Sequence, residues 1–254
     1  MAMLDRDGVR LYYEVHGSGP TILLTHGYSS SSLMWKGQVE PLSKSHQLVI
    51  WDMRGHGRSD YPTDQAAYSE DATVADMAAL LDVVGAETAI VGGLSLGGYM
   101  SLAFHARRPE RVKALLIIDT GPGYRNDQAR DGWNQNAIRT AERWERDGLN
   151  RSGPASPEAG LSQHRSADGL ARAARGMLTQ RDATVMNSLP TIAVPSLVVV
   201  GANDTPFLTA SDYMAAKIPD AVKAVIQDAG HAANIDQPAA FNAAVMGFLE
   251  REGL

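Results

Sequence analysis

The chain contains no cysteine. This excludes a disulfide framework, a thiolate zinc site and a cysteine nucleophile, and it permits a reducing compartment. Positive charge is in the minority. The 23 Lys and Arg face 29 Asp and Glu, a formal net charge of −6, which argues against nucleic acid or an anionic membrane as the main partner. No uncharged apolar run approaches the roughly 20 residues of a membrane span. The opening "MAMLDRDGVR" is charged where a signal peptide would be apolar. A soluble, cytoplasmic protein is expected. Aromatic residues are scarce, at 6%, which leaves little greasy surface for docking at a lipid interface. No internal repeat or low-complexity tract appears.

The 254 residues present can bury roughly 70–75% of the surface an unfolded chain would expose. One large domain with an insertion is therefore expected. Short apolar runs recur along it: "TILLT" (21–25), "QLVIWD" (47–52), "TAIVGG" (88–93), "VKALLIID" (112–119) and "PSLVVVG" (195–201). They are apolar on both faces, as strands covered on both sides of a sheet must be. Helical patterns separate them, at 72–84 and 97–107, with another at 237–252. "VRLYYEVHG" (9–17) alternates and reads as an antiparallel edge strand. The fold class is α/β, with a mostly parallel sheet flanked by helices. Residues 121–189 break the alternation. "NDQARDGWNQNAIRTAERWERDG" (126–148) and "SADGLARAARGML" (166–178) are helical, and "NRSGPASPEAG" (150–160) reads as a loop. The expected organisation is a core of 1–120 and 190–254 carrying a helical lid of 121–189.

"VGGLSLGGYM" (91–100) sets four glycines within seven positions around Ser95, directly after a run of β-formers. Glycine weakens helices and strands through backbone entropy, so something other than stability is gained. Gly93-Leu94-Ser95-Leu96-Gly97 has the Gly-x-Ser-x-Gly form of a sharp strand-to-helix turn that exposes a serine Oγ. The turn places the Leu96 N–H at a helix N-terminus, where an oxyanion is stabilised.

A serine hydroxyl needs a base. Of the seven histidines, His231 lies in "QDAGHAANID" (227–236), a loop between a strand pattern and the last helix, within reach of Ser95. His26 in "THGY" and His56 in "GHGRS" read as buried residues shaping loops. His16, His46, His105 and His164 carry no motif, which suits a surface or satisfied core role. An acid must hold the imidazole in its useful tautomer. Asp204 in "VVVGANDTPF" (198–207) is preferred, with Asp119 at the end of "LLIID" as the rival. The Tyr28 backbone N–H, after His26-Gly27, is the second oxyanion donor expected.

Five motifs in register, "HGY" (26–28), "WDMRGHGRSD" (51–60), "GLSLGG" (93–98), "GANDTPF" (201–207) and "AGHAANID" (229–236), resemble the α/β-hydrolase fold superfamily, and most closely its small lid-bearing serine hydrolases. The likeness covers nearly the whole chain from about residue 8. It implies Ser95 as nucleophile, Asp204 as acid and His231 as base, with no cofactor and no metal. It implies structural roles for Asp52 and Arg54. Members that open epoxides or displace halide carry aspartate at the nucleophile position, where this chain has Ser95. The resemblance implies cleavage of small to medium soluble carboxylic esters, while lactonase, thioesterase, perhydrolase, carbon–carbon hydrolase and non-catalytic ligand-binding relatives share the frame. Trp133, Trp144 and Met177 are candidates for lining an acyl pocket beneath the lid. The oligomeric state is not legible.

Overall fold

The computed structural model describes residues 2–149, 157–160 and 162–254. Eight strands form one sheet: β1 (Ala2–Arg6), β2 (Val9–His16), β3 (Thr21–Thr25), β4 (Gln47–Trp51), β5 (Ala89–Leu94), β6 (Val112–Ile118), β7 (Ser196–Gly201) and β8 (Ala221–Ile226). Their order across the sheet is β1-β2-β4-β3-β5-β6-β7-β8. β1 and β2 run antiparallel, and from β4 onward every pairing is parallel. Every residue of β3, β5 and β7 is buried. Alternation divides their side chains between two cores: Leu23, Val49 and Val91 pack on one face, and Ile22, Leu24, Ile50 and Ile90 on the other.

The expectation of an edge strand at 9–17 is corrected. β2 is antiparallel but pairs on both sides, because β1 covers its outer edge. The hairpin turns at Asp7-Gly8, with φ of +56° and +84°. Asp-Gly is a strong hairpin signal, since both central residues of a type I′ turn need positive φ. The charged "MAMLDR" conceals a strand that only its neighbour's register makes useful.

The helices are α1 (Lys36–Ser43), α2 (Glu70–Val83), α3 (Leu96–Arg107), α4 (Asp127–Asp147), α5 (Pro157–Gly160), α6 (Ala167–Ala173), α7 (Thr184–Ser188), α8 (Thr205–Lys217), α9 (Ala233–Asp236) and α10 (Pro238–Arg251). Among the described residues no strand occurs between β6 and β7, where α4 to α7 lie. Asn126 and Ser166 start α4 and α6 by accepting the Ala129 and Gly169 N–H groups. α4 meets α6 and the residue after it through Ala141, Trp144, Leu170, Ala171 and Ala174, where three alanines allow close approach around one large ring. Residues 150–156 of the expected loop lie outside the described residues, and 157–160 form the short α5. No helix among the described residues is long and apolar enough to cross a membrane.

Candidate active site

The C-terminal ends of β3, β5, β6 and β7 carry the site, the edge of a parallel sheet where loops converge before their crossovers. At the end of β5, Ser95 adopts φ +55°, ψ −116°, a conformation unfavourable for any residue with a Cβ. Strand and helix pass so close here that a Cβ on Gly93 would sit 2.5 Å from the Thr25 carbonyl oxygen, and one on Gly97 2.1 Å from that same atom. These contacts explain why glycines flank the serine. Leu96 is the first residue of α3, so its N–H has no acceptor within the helix. Thr120 Oγ1 donates to the Ser95 carbonyl at 2.7 Å and braces the turn.

Asp204, almost fully buried, follows β7, and His231 follows β8. Their side chains meet across 27 residues of sequence, His231 Nδ1 lying 2.8 Å from Asp204 Oδ2. A carboxylate can only accept, so Nδ1 carries the proton and Nε2 is the basic nitrogen. The Phe207 ring stacks on the imidazole at 5.0 Å and holds its plane. The rival acid does different work. Asp119 accepts the Gly201 N–H at 2.8 Å and the Ala233 N–H at 3.2 Å. It thereby ties the loops carrying Asp204 and His231 to the end of β6. Burial pushes its carboxyl up to about 7, against the pull of those two donors.

His26 accepts the Met53 N–H at Nε2 (2.9 Å), so its Nδ1–H donates to the Gly27 carbonyl (2.7 Å). It shapes the loop preceding Tyr28. His56 Nδ1 donates to the Arg54 carbonyl. Asp52 accepts the Ser32 and Arg58 N–H groups, and Arg54 makes a two-pronged pair with Asp76 at 2.6 and 2.7 Å.

A cavity of about 110 Å³ opens at Ser95, between the strand ends and the α4–α7 segment. Leu96, Tyr99, Tyr124, Trp133, Gln180 and Phe207 are among its walls, and no described residue lining it carries a formal charge. Trp133 is in place, its Nε1–H donating to the Leu178 carbonyl at 2.7 Å. Trp144 and Met177 are not. Trp144 packs on α6, and Met177 belongs to the main core under the segment. Trp133 and Trp144 are eleven residues apart, about 20° around the helix but about 16 Å along it, so the same stripe meets different neighbours. Sequence reasoning missed Phe207, although it sits in the same turn as Asp204. It also missed Gln180 and Tyr124, whose positions no local pattern marks.

The family model for the α/β-hydrolase fold matches residues 20–157, more than half of the chain, and the chain belongs to that family. It is 28% identical to 3-oxoadipate enol-lactonase 2 of Acinetobacter baylyi, over 98% of this chain and 96% of that protein. It is 29% identical to a proposed 2-succinyl-6-hydroxy-2,4-cyclohexadiene-1-carboxylate synthase of Bacillus subtilis, over 96% of each. Among solved structures it resembles a thermophilic esterase from Thermogutta terrifontis, with a TM-score of 0.85, 28% identity, and coverage of 99% of this chain and 97% of that one.

Proposed function

We propose that this member of the α/β-hydrolase fold family is a serine hydrolase that cleaves small to medium, uncharged carboxylic esters. The observation that carries the reading is Ser95. It is held at a strained turn at the head of α3 and opens into a cavity whose described lining is free of formal charge, with the His231–Asp204 pair in the loops after β8 and β7 of the same sheet. In this reading His231 Nε2 takes the Ser95 Oγ proton as Oγ attacks the acyl carbon. The Leu96 and Tyr28 N–H groups face the developing oxyanion. His231 returns the proton to the leaving alcohol, and the acyl-enzyme is then hydrolysed by water that His231 activates. Asp204 stabilises the imidazolium in both halves. Residues 121–189 act as a lid over the core formed by 1–120 and 190–254.

The similar solved esterase and the enol-lactonase relative support acyl–oxygen cleavage. The names of the two curated relatives denote anionic compounds, a carboxylate and an oxoadipate. A wall that offers no cation among the described residues gives such a substrate no partner there, which favours neutral esters or lactones here. A fluorophosphonate should label Ser95 in the folded protein, and absence of an adduct would end the enzyme reading. p-Nitrophenyl butyrate should exceed the p-nitrophenyl monoester of succinic acid in kcat/KM by at least tenfold. A preference for the anionic ester, or faster cleavage of a carbon–carbon bond in a dienoate than of any ester, would refute the substrate class.

A further inference from the structure

The loop expected to donate the second oxyanion contact is held from the α4–α7 segment, not only from the core. Tyr28 Oη donates to the Leu170 carbonyl of α6 at 2.7 Å. The next residue, Ser29, stands at φ +53°, a conformation a serine keeps only when its surroundings hold it there. Its carbonyl is met by His164, from the stretch just before α6, with Nε2 at 2.9 Å. The other ring nitrogen, Nδ1, accepts the Gly57 N–H at 3.2 Å. A backbone N–H can only donate, so the proton sits on Nε2 and the Ser29 carbonyl receives it. The ring also packs edge-on against buried His56, at 5.8 Å. One imidazole therefore links the segment to two core loops at once.

We propose that His164 is a positioning residue. By fixing the Ser29 carbonyl while Leu170 fixes the Tyr28 hydroxyl, the segment sets the backbone that presents the Tyr28 N–H to an oxyanion, and so completes the catalytic centre that it also covers. This rests on the serine-hydrolase reading above. A shift of the 27–29 backbone would turn the Gly27–Tyr28 peptide, which carries the Tyr28 N–H, and swing away one of the two oxyanion donors, a loss worth about 10²–10³ in kcat where such a donor has been removed outright.

The test compares wild type with His164→Phe, which keeps a planar ring and removes both hydrogen bonds, and with His164→Gln, which can still donate. Tyr28→Phe is the second line if His164→Phe does not fold, since it keeps the ring and removes the bond to Leu170. With p-nitrophenyl butyrate, His164→Phe should lose about 10–100-fold in kcat with KM within about twofold, and His164→Gln should recover part of the loss. Affinity for an oxyanion-forming trifluoromethyl ketone should fall by the same factor, while inhibition by butyramide, which forms no oxyanion, should not change. Amide hydrogen exchange over residues 27–30 should quicken in His164→Phe. A folded variant with unchanged kcat and unchanged exchange would overturn the proposal, as would a change confined to KM. If wild type neither hydrolyses esters nor labels at Ser95, the proposed function fails, and the exchange measurement still decides whether His164 holds the loop.

Discussion

Two aspartates compete for the role of acid, and converting each to asparagine should give opposite signatures. The Asp204 side chain bonds His231 Nδ1 at 2.8 Å. Bonds that do not involve its carboxylate also hold the turn: the Asp204 N–H to the Gly201 carbonyl, the Phe207 and Leu208 N–H groups to the Asp204 carbonyl, and the Asn203 N–H to the Ala229 carbonyl. Asp204→Asn should therefore leave the loop in place and remove about 1 kcal/mol, one hydrogen bond. At about 2–4 °C per kcal/mol in a domain of this size, Tm should move only slightly. The loss of activity should be far larger. An amide NH₂ facing the ring forces the proton onto Nε2, the nitrogen needed as base, and analogous changes lower kcat about 10⁴-fold, or about 5 kcal/mol of transition-state stabilisation. Asp119→Asn should do the reverse. An amide has one acceptor oxygen for the two N–H groups of Gly201 and Ala233, so one buried donor is orphaned, at about 1–3 kcal/mol. Tm should fall by about 2–12 °C, while kcat falls by less than 100-fold through slackening of the two loops. The pH dependence separates them further. Because the folded-state pKa of Asp119 is raised to about 7, the folded protein holds a proton that the unfolded chain releases near 4, and the stability this group contributes is lost as pH rises between those values. The stability deficit of Asp119→Asn should accordingly be largest near pH 4–5 and narrow towards pH 7. Ester hydrolysis and thermal melts on the two purified variants check both halves. A 10⁴-fold loss in Asp119→Asn with Tm unchanged, and a mild effect in Asp204→Asn, would move the acid to β6 and refute this reasoning.

Ser95→Ala should lower kcat by about 10⁴-fold or more, and a variant retaining a tenth of wild-type activity would contradict the nucleophile assignment. Ser95→Gly should be equally inactive but melt a few degrees higher than Ser95→Ala, because only glycine relieves the strain at φ +55°. In a p-nitrophenyl series, acetate to butyrate should gain about 15-fold in kcat/KM, two methylenes at about 0.8 kcal/mol each. The gain should end near six carbons, since the cavity of about 110 Å³ is smaller than the roughly 150 Å³ that encloses benzene. A rise continuing to ten carbons, or activation at an oil–water interface, would show the cavity to be misread. Burial depresses the pKa of His26 to about 4 and lowers those of His56 and His164. A histidine held neutral stabilises the fold fully above its unfolded pKa near 6.5, and that stability is lost as pH falls towards the folded value. The charge of Asp52 opposes the shift at His26 and His164 without reversing it. The advantage of wild type over His164→Gln in urea midpoint should narrow as pH falls from 6.5 to 4.5, and a constant difference would show that His164 is not held neutral.

The strands were legible in the residues because a strand buried on both faces must be apolar throughout, and "TILLT" and "LVVV" can be little else at their lengths. The serine turn was legible for a related reason: glycines at 93 and 97 record a close approach of backbones that no other residue would survive. The Asp7-Gly8 hairpin carried an equally local signal, obscured by the charge around it. Other features depended on distance. Nothing near Asp119 indicates that its carboxylate meets backbone 82 and 114 residues away, and nothing near His164 points to Ser29, 135 residues earlier. Trp133 and Trp144 share one stripe of one helix, and only the position of that helix against the sheet and α6 decides which ring faces the cavity. Local sequence determined which segments form strand, helix and turn, because those preferences are settled within a few residues. Which carboxylate meets His231, and which histidine meets the Ser29 carbonyl, was decided by tertiary structure, since a hydrogen bond requires its partners within about 3 Å and only the packed fold brings these loops together.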